Sequence, residues 1–282
     1  MSTTISTAFV AEYAAGVKLA YQRMGSKLRN MVRLKTDVLG STETFQKLGK
    51  GSATAKARHG DVVPMNAEHT VVKATLEDWY APEYIDKLDE YKINFDEKQA
   101  MQKTGAYALG RKCDGLIITA MTQGSDFTTH TAYSAAVGMT KTQVMTAFET
   151  LNNGDVPDDG ERYNAVGAHQ WNELMNLTEF KSADYVGGQY PWLSGTDAKR
   201  WLNMLWIMHT GLPQTGNQRS VLMWHKSAIG LAEGASIHSQ IDWVPTKAAH
   251  LADSWMSMGA ISIDKTGIIL TYCDDTATTT LA

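Results

Sequence analysis

Residues 36–76 limit most strongly what this chain can fold into. The stretch QKLGKGSATAKAR, 46–58, holds Lys47, Lys50, Lys56 and Arg58 among glycines and small residues, and no acid. No apolar period runs through it, so it reads as an extended loop or hairpin supported from elsewhere. HTVVKATLEDWY, 69–80, has the β-branched and aromatic content of a strand that returns the loop to a body. A two-stranded ribbon of this kind is marginal alone in water, so this segment is expected to be ordered mainly by lying on another subunit rather than on its own.

The chain has 282 residues, 43% of them hydrophobic and 20% charged, the profile of a folded protein with enough apolar surface for one large domain or two smaller ones. No Pro-rich or Gly/Ser-rich linker marks a boundary and no internal repeat is visible. The best apolar run, CDGLIITAM, is short and contains Asp114, so no membrane crossing is expected. The N-terminus has no basic leader ahead of an apolar block, and cytosolic synthesis is the expectation. Cys113 and Cys273 lie far apart with no CxxC pair, as expected of reduced structural thiols.

Phe9, Tyr13, Val17, Ala20 and Met24 recur at helical steps, which predicts a helical arm over 4–24 with one apolar side. The clearest helix starts at Asp96 as cap, with Gln99 three residues on, and runs to about Met121, roughly 40 Å. Gly105, Gly110 and Gly115 lie inside it at about 1 kcal/mol each relative to Ala, which implies a close backbone approach. Thr140 opens a second helix with Val144, Phe148 and Leu151 on one face, closed by the turn-rich NNGDVPDDG. A short strand is expected over 163–168, a helix over 169–177, and a strand over 219–225 that runs into a helix from about Lys226. GAISI (259–263) and GIILTYC (267–273), separated by Asp264, Lys265 and Thr266, predict a terminal hairpin.

The residues that could do chemistry do not form a site. His225, Lys226 and Ser227 adjoin in WHKSAIGL, yet no GxSxG occurs, and Ser227 falls where a helix should begin. The eight histidines show neither HExxH nor HxH, so no metal is expected. GKGSATAK (49–56) lacks the Gly-Lys-Ser/Thr ending of a phosphate loop, and in DVPDDGE (155–161) Pro157 stands where a calcium ligand is required. Trp192, Trp201 and Trp206 could line the pocket of a soluble enzyme, but core or subunit-interface packing is the more ordinary use of Trp. No cofactor is expected.

Charge is distributed in two blocks. Residues 1–58 carry ten Lys/Arg against Glu12, Asp37 and Glu43, so with a total of −4 the remainder carries −11. Residues 77–97 hold Glu77, Asp78, Glu83, Asp86, Asp89, Glu90, Asp96 and Glu97 against Lys87 and Lys92.

The order of segments, from helical arm through basic loop and long helix to WHKSAIGLA (224–232) and the terminal GAISIDKTGIILTYC, resembles the major capsid proteins of tailed bacteriophages. The resemblance spans nearly the whole chain, rests on loose motifs, and is strongest over 69–121 and 219–273. It implies an α+β fold of the Hong Kong ninety-seven type. In that fold 1–35 would be an N-terminal arm, 36–76 an extended loop, 77–165 with 253–276 a peripheral domain built on the spine helix, 166–252 an axial domain, and 277–282 a polar tail. It further implies a non-enzymatic protein that assembles into hexamers and pentamers of an icosahedral shell around double-stranded DNA, contacted without sequence preference. A portal and possible decoration proteins are the implied partners; only about 95 residues precede the helix, too few for a fused scaffolding domain, which implies a separate scaffolding protein or none. No Lys and Asn pair placed for covalent crosslinking is identifiable. An encapsulin-like nanocompartment shell is the alternative within the same fold. Together, charge and resemblance give the expected intersubunit contact: Lys47, Lys50, Lys56 and Arg58 of one copy over Glu77, Asp78, Glu83, Asp86, Asp89 and Glu90 of the next.

Overall fold

The structure, a computed structural model, describes residues 25–90, 97–123, 128–131, 137–177 and 198–277, with the single positions 134 and 180. The expected helical arm over 4–24, the Asp96 cap, Trp192 and the tail beyond 277 lie outside them. In chain order the elements are β1 (Arg33–Lys35), β2 (Thr42–Leu48), β3 (His69–Thr75), β4 (Glu77–Tyr80), β5 (Glu83–Asp86), α1 (Lys87–Glu90), α2 (Glu97–Thr122), β6 (Thr128–Thr131), α3 (Lys141–Asn153), β7 (Arg162–Val166), α4 (Ala168–Asn176), β8 (Ala198–Trp201), β9 (Met204–Met208), β10 (Gln214–Thr215), β11 (Gln218–His225), β12 (Ile229–Val244), β13 (Ala249–Ser262) and β14 (Ile268–Asp274).

Two sheets organise the chain. β1, β12, β13, β4 and β5 form one; β6, β14, β11, β7, β9, β8 and β10 form the other; β2 and β3 pair only with each other. α2 lies against β12 and β13, and its second half reaches the larger sheet, so one core holds Leu109, Cys113, Ile117 and Met121 of the helix, Met256 and Met258 of β13, and Leu222, Trp224 and Leu270 of the larger sheet. Alternation along β11 explains how that sheet is covered on both sides. Leu222 and Trp224 face α2, while Val221 and Met223 join Val144 and Leu151 of α3 and Leu174 of α4 in a second core. Sealed there are Trp206, whose indole donates to Trp201 O at 3.1 Å, and Phe180, edge-on to Trp171 and Trp201. The tryptophans at 201 and 206 are therefore core.

The helices follow their sequence signals. Thr140 caps α3 with Gln143 in a reciprocal pair of hydrogen bonds, a capping box. Two of the three α2 glycines are explained by close approach: a Cβ at Gly110 would lie 2.6 Å from the carbonyl carbon of Gly25, and one at Gly105 would lie 2.8 Å from Ser254 Oγ. Nothing among the described residues crowds Gly115. The chain that crosses α2 at Gly110 is fastened by Asp114, whose fully buried carboxylate accepts from Ser26 Oγ (2.5 Å), Lys27 N (3.2 Å), Leu28 N (3.0 Å) and His209 Nε2 (3.1 Å). Burial pushes this carboxyl upward, but the hydrogen bonds from His209, Ser26, Leu28 and Lys27 outweigh it and hold it below its ordinary value. Beside it, Arg29 forks onto the buried Glu233 at a bulged stretch of β12, both bonds 2.6 Å.

Two expectations fail on strand pairing. GAISI and GIILTYC are both strands, but they do not form a hairpin: β13 pairs with β12, β4 and β5, whereas β14 pairs with β11 and β6 in the other sheet. A single 3-10 turn, Lys265–Gly267, carries the chain across, with Asp264 accepting from Thr266 N at 3.1 Å. Nor does a helix start at Lys226. Lys226–Ala228 is likewise one 3-10 turn, after which the chain is extended for sixteen residues as β12. Both turns lie at one place, because Ala228 O accepts Ile263 N (2.8 Å) and Asp264 N (3.2 Å). The boundary expected between 252 and 253 falls inside β13.

Candidate assembly interface

The β2–β3 ribbon has a fixed root and a bare end. Seven antiparallel pairs run from Thr42↔Thr75 to Leu48↔His69, and Gly49 N then donates to Glu68 O at 2.7 Å. At the root Phe45 is sealed among Val38, Ala74, Leu76, Ala232 and Ile263. The seat exists because β12 has glycine at 230, where a Cβ would stand 2.7 Å from the Phe45 ring. Beyond Gly49 the picture reverses. Residues 50–59 and 61–66 are exposed throughout, including the apolar Val62, Val63 and Met65.

The basic residues of the loop divide into two pairs. Lys47 Nζ stands 2.7 Å from Asp264 Oδ2, and Lys50 Nζ stands 2.5 Å from Asp155 Oδ2, both in the same chain. Lys56 and Arg58 are exposed and have no ion pair among the described residues. Lys50 holds the Asp155 carboxyl below its ordinary range; at Asp264 burial acts upward, and the hydrogen bonds from Lys47 and Thr266 outweigh it. The acidic set is gathered on the smaller sheet: Glu77 and Asp78 in β4, Glu83 and Asp86 in β5, all exposed, on strands that pair with β13. Asp89 and Glu90 end α1, and their side chains lie outside the description. Exposed Tyr80 and Tyr84 share these strands, with Lys247 Nζ 3.9 Å above the Tyr84 ring. Among the described residues of one chain the basic and acidic sets are not brought together. Sequence reasoning did not find Asp155 and Asp264 as partners; both read as turn residues, and nothing local tells which side chain a turn acid will hold.

His225, Ser227 and Asp159 do come into contact. The imidazole Nδ1 is 2.7 Å from Ser227 Oγ and Nε2 is 3.2 Å from Asp159 Oδ1. The same Nδ1 accepts Ser227 N at 3.3 Å, the bond of a residue capping the 3-10 turn, which leaves the proton on Nε2 to donate to Asp159. With Lys226 Nζ on Glu161 Oε1 (2.6 Å), the cluster ties 155–161 to that turn. Arg162, buried, reinforces the same segment through Asn152 Oδ1, Val156 O and Pro157 O. Burial pushes both thiols, Cys113 and Cys273, up to about 12, which leaves them protonated and inert as nucleophiles. Among the described residues no group of three or more His, Cys, Asp or Glu could hold a metal ion, and no helix is long and apolar enough to cross a membrane.

The same arrangement of ribbon, long helix and two sheets recurs in known shells. The capsid structure of the cyanophage P-SCSP1u matches at a TM-score of 0.70 with 16% sequence identity over 96% of this chain and 95% of that one. The capsid of the Helicobacter pylori bacteriophage KHP30, described as acid-stable, matches at 0.70 with 12% identity over 97% of each chain. Mycobacterium phage Che8 matches at 0.68 with 14% identity over 96% and 98%. No curated protein sequence matches. The family described as phage capsid protein matches residues 5–275. Likeness to these structures gives the Hong Kong ninety-seven type fold, and the family match over nearly the whole length places the chain: it belongs to the phage capsid protein family, as a structural major capsid protein of the virion shell.

Proposed function

We propose that copies of this chain form the hexamers and pentamers of an icosahedral shell around double-stranded DNA, each laying its 49–68 tip across the acidic sheet of the next. One observation supports the reading above the others: a ribbon rooted at Phe45 whose outer end exposes Val62, Val63, Met65, Lys56 and Arg58 together. Apolar side chains on one tip, together with cations that have no ion pair among the described residues, match a surface that offers Tyr80, Tyr84, Glu77, Asp78, Glu83 and Asp86. Asp89 and Glu90 extend the acidic run in sequence. Lys56 and Arg58 are the residues for this contact; Lys47 and Lys50 have partners at home. A single exposed ion pair contributes only about 0.2–1 kcal/mol, but a closed shell repeats it at every copy.

The sheet pairing supports a peripheral domain built on β4, β5, β12 and β13 with α2, and an axial domain built on β6 to β11 with β14. The protein has no catalytic role in this reading. It assembles in the host cytoplasm with a separate scaffolding protein, a portal and decoration proteins, and its contacts with packaged DNA are made to phosphate without regard to sequence. Reversing Lys56 and Arg58 to Glu tests the contact: particle yield by electron microscopy falls at low ionic strength, and parental yield from the variant refutes it. Purified particles should hold long nuclease-protected DNA; protein cargo in its place overturns the genome reading.

A further inference from the structure

The ribbon assigned above to a neighbouring copy is held at two points by its own chain. Past the Phe45 seat, Lys47 meets Asp264 and Lys50 meets Asp155. The acids come from separate parts of the fold, one from the crossover turn before β14 and one from the turn after α3. These turns adjoin: a Cβ on Gly154 would lie 3.7 Å from Thr266 O. Neither carboxylate is free to follow the loop. Asp264 Oδ1 is engaged by Thr266 N and Oγ1 (3.1 and 2.7 Å), and Asp155 is set by backbone, its N–H donating to Asn152 O at 3.0 Å with φ at 55°.

We propose that Asp155 and Asp264 form a dock that stows the loop against its own subunit, an autoinhibitory contact that must open before the tip can cross to a neighbour. This rests on the reading that the tip's final seat is another copy. The two pairs differ in strength in a way that suits a release. Lys50 and Asp155 are about three-quarters exposed (78% and 76%), so water and salt weaken their attraction; Lys47 and Asp264 are about one-third exposed (36% and 31%) and are screened less. The tip therefore lifts before the stem, while Phe45 keeps the root in place. Such a dock biases the loop without trapping it, and it acts on the rate of assembly rather than on the stability of the finished shell.

The test is the double variant Asp155→Asn, Asp264→Asn. Asn tolerates the left-handed backbone at 155 and keeps an amide oxygen for Thr266 at 264, so the turns persist and only the charges go. Nitroxide labels at Ser52→Cys and Glu149→Cys, both exposed positions, report the loop's distance from α3 in dilute, unassembled subunit. The dock predicts a narrow distance distribution that broadens and lengthens in the double variant, and assembly about three-fold faster at low salt, a gain that vanishes near 1 M NaCl. An unchanged distribution overturns the dock. A loosened loop with unchanged assembly rate overturns the inhibitory role. If neither protein forms particles while the distances still shift, the shell reading fails and the dock stands. Lys56→Glu with Arg58→Glu separates the two from the other side, because it weakens assembly and leaves the label distance as it was.

Discussion

Replacing Asp114 with Asn should cost about 3–5 kcal/mol of subunit stability, although the two side chains have nearly the same shape. The carboxylate accepts from Ser26, Lys27 and Leu28 on one segment and from His209 on another. Ser26 Oγ can turn to another acceptor, and Lys27 N is only part-buried, but Leu28 N and His209 Nε2 are sealed from water. His209 cannot adapt by moving its proton, since its Nδ1 already accepts Gly211 N at 3.2 Å. An amide has one oxygen, so whichever way the substituted side chain turns, one sealed donor faces an NH2 group, at about 1–3 kcal/mol for the orphan. The surviving bonds lose their charge assistance, about 1 kcal/mol each. Urea unfolding of the unassembled subunit reads the result directly, as a midpoint lower by roughly 1 M or more. A shift below about 0.3 M with an unchanged slope would show that the donors find other acceptors and that the 25–32 segment is not fastened at this carboxylate.

Three further outcomes follow from the geometry. Gly230→Ala places a methyl against the Phe45 ring and should destabilise by about 1–3 kcal/mol, seen as a lower melting temperature with faster proteolysis of 36–76; Phe45→Ala, which empties the same seat, should cost about 3–5 kcal/mol. Acid stability should fall on one side only. The Asp114 carboxyl is held below its ordinary 3.8, so its contribution is full above pH 3.8 and is lost as pH falls through the lower folded value; the Asn variant should have the flatter pH dependence there, measured by unfolding between pH 5 and 2. The charge reversal at Lys56 and Arg58 should act on particle yield without moving the urea midpoint, because neither side chain has an ion pair among the described residues.

What could be read from the sequence was local. The capping box at Thr140 and Gln143 and the long helix after 96 depend on neighbours three or four residues away, and both helices stand. The glycines at 105 and 110 announced a close approach without naming Ser254 or Gly25 as the approaching groups. Strand content over 259–273 was equally legible, and its pairing was not. Which edge a strand joins is decided by distant segments: β13 takes β12 and β4, while β14 takes β11, 44 to 56 residues earlier by the pairs Trp224↔Ile268 and Gln218↔Asp274. The helix expected from Lys226 failed for a related reason, since the Ala- and Glu-containing run after it is drawn into a strand by β13 alongside. At the interface the loop's exposure and charge were visible in composition. Its intrachain carboxylates were not, because Lys50 and Asp155 are 105 residues apart and a solvated turn has no sequence mark for its partner.

The two 3-10 turns at Lys226–Ala228 and Lys265–Gly267 leave a mechanical signature on the molecule. Both strands of backbone that cross there are stitched through Ala228 O, and the methyl of Ala228 leaves room only for a glycine at 267. Were one sheet to tilt against the other, this seam would be the pivot, and the buried layer around Trp224 and Met258 would limit the swing. Tiles that meet at unequal angles over a curved wall would draw their compliance from that seam, and stiffening it would restrict the curvatures the wall can reach.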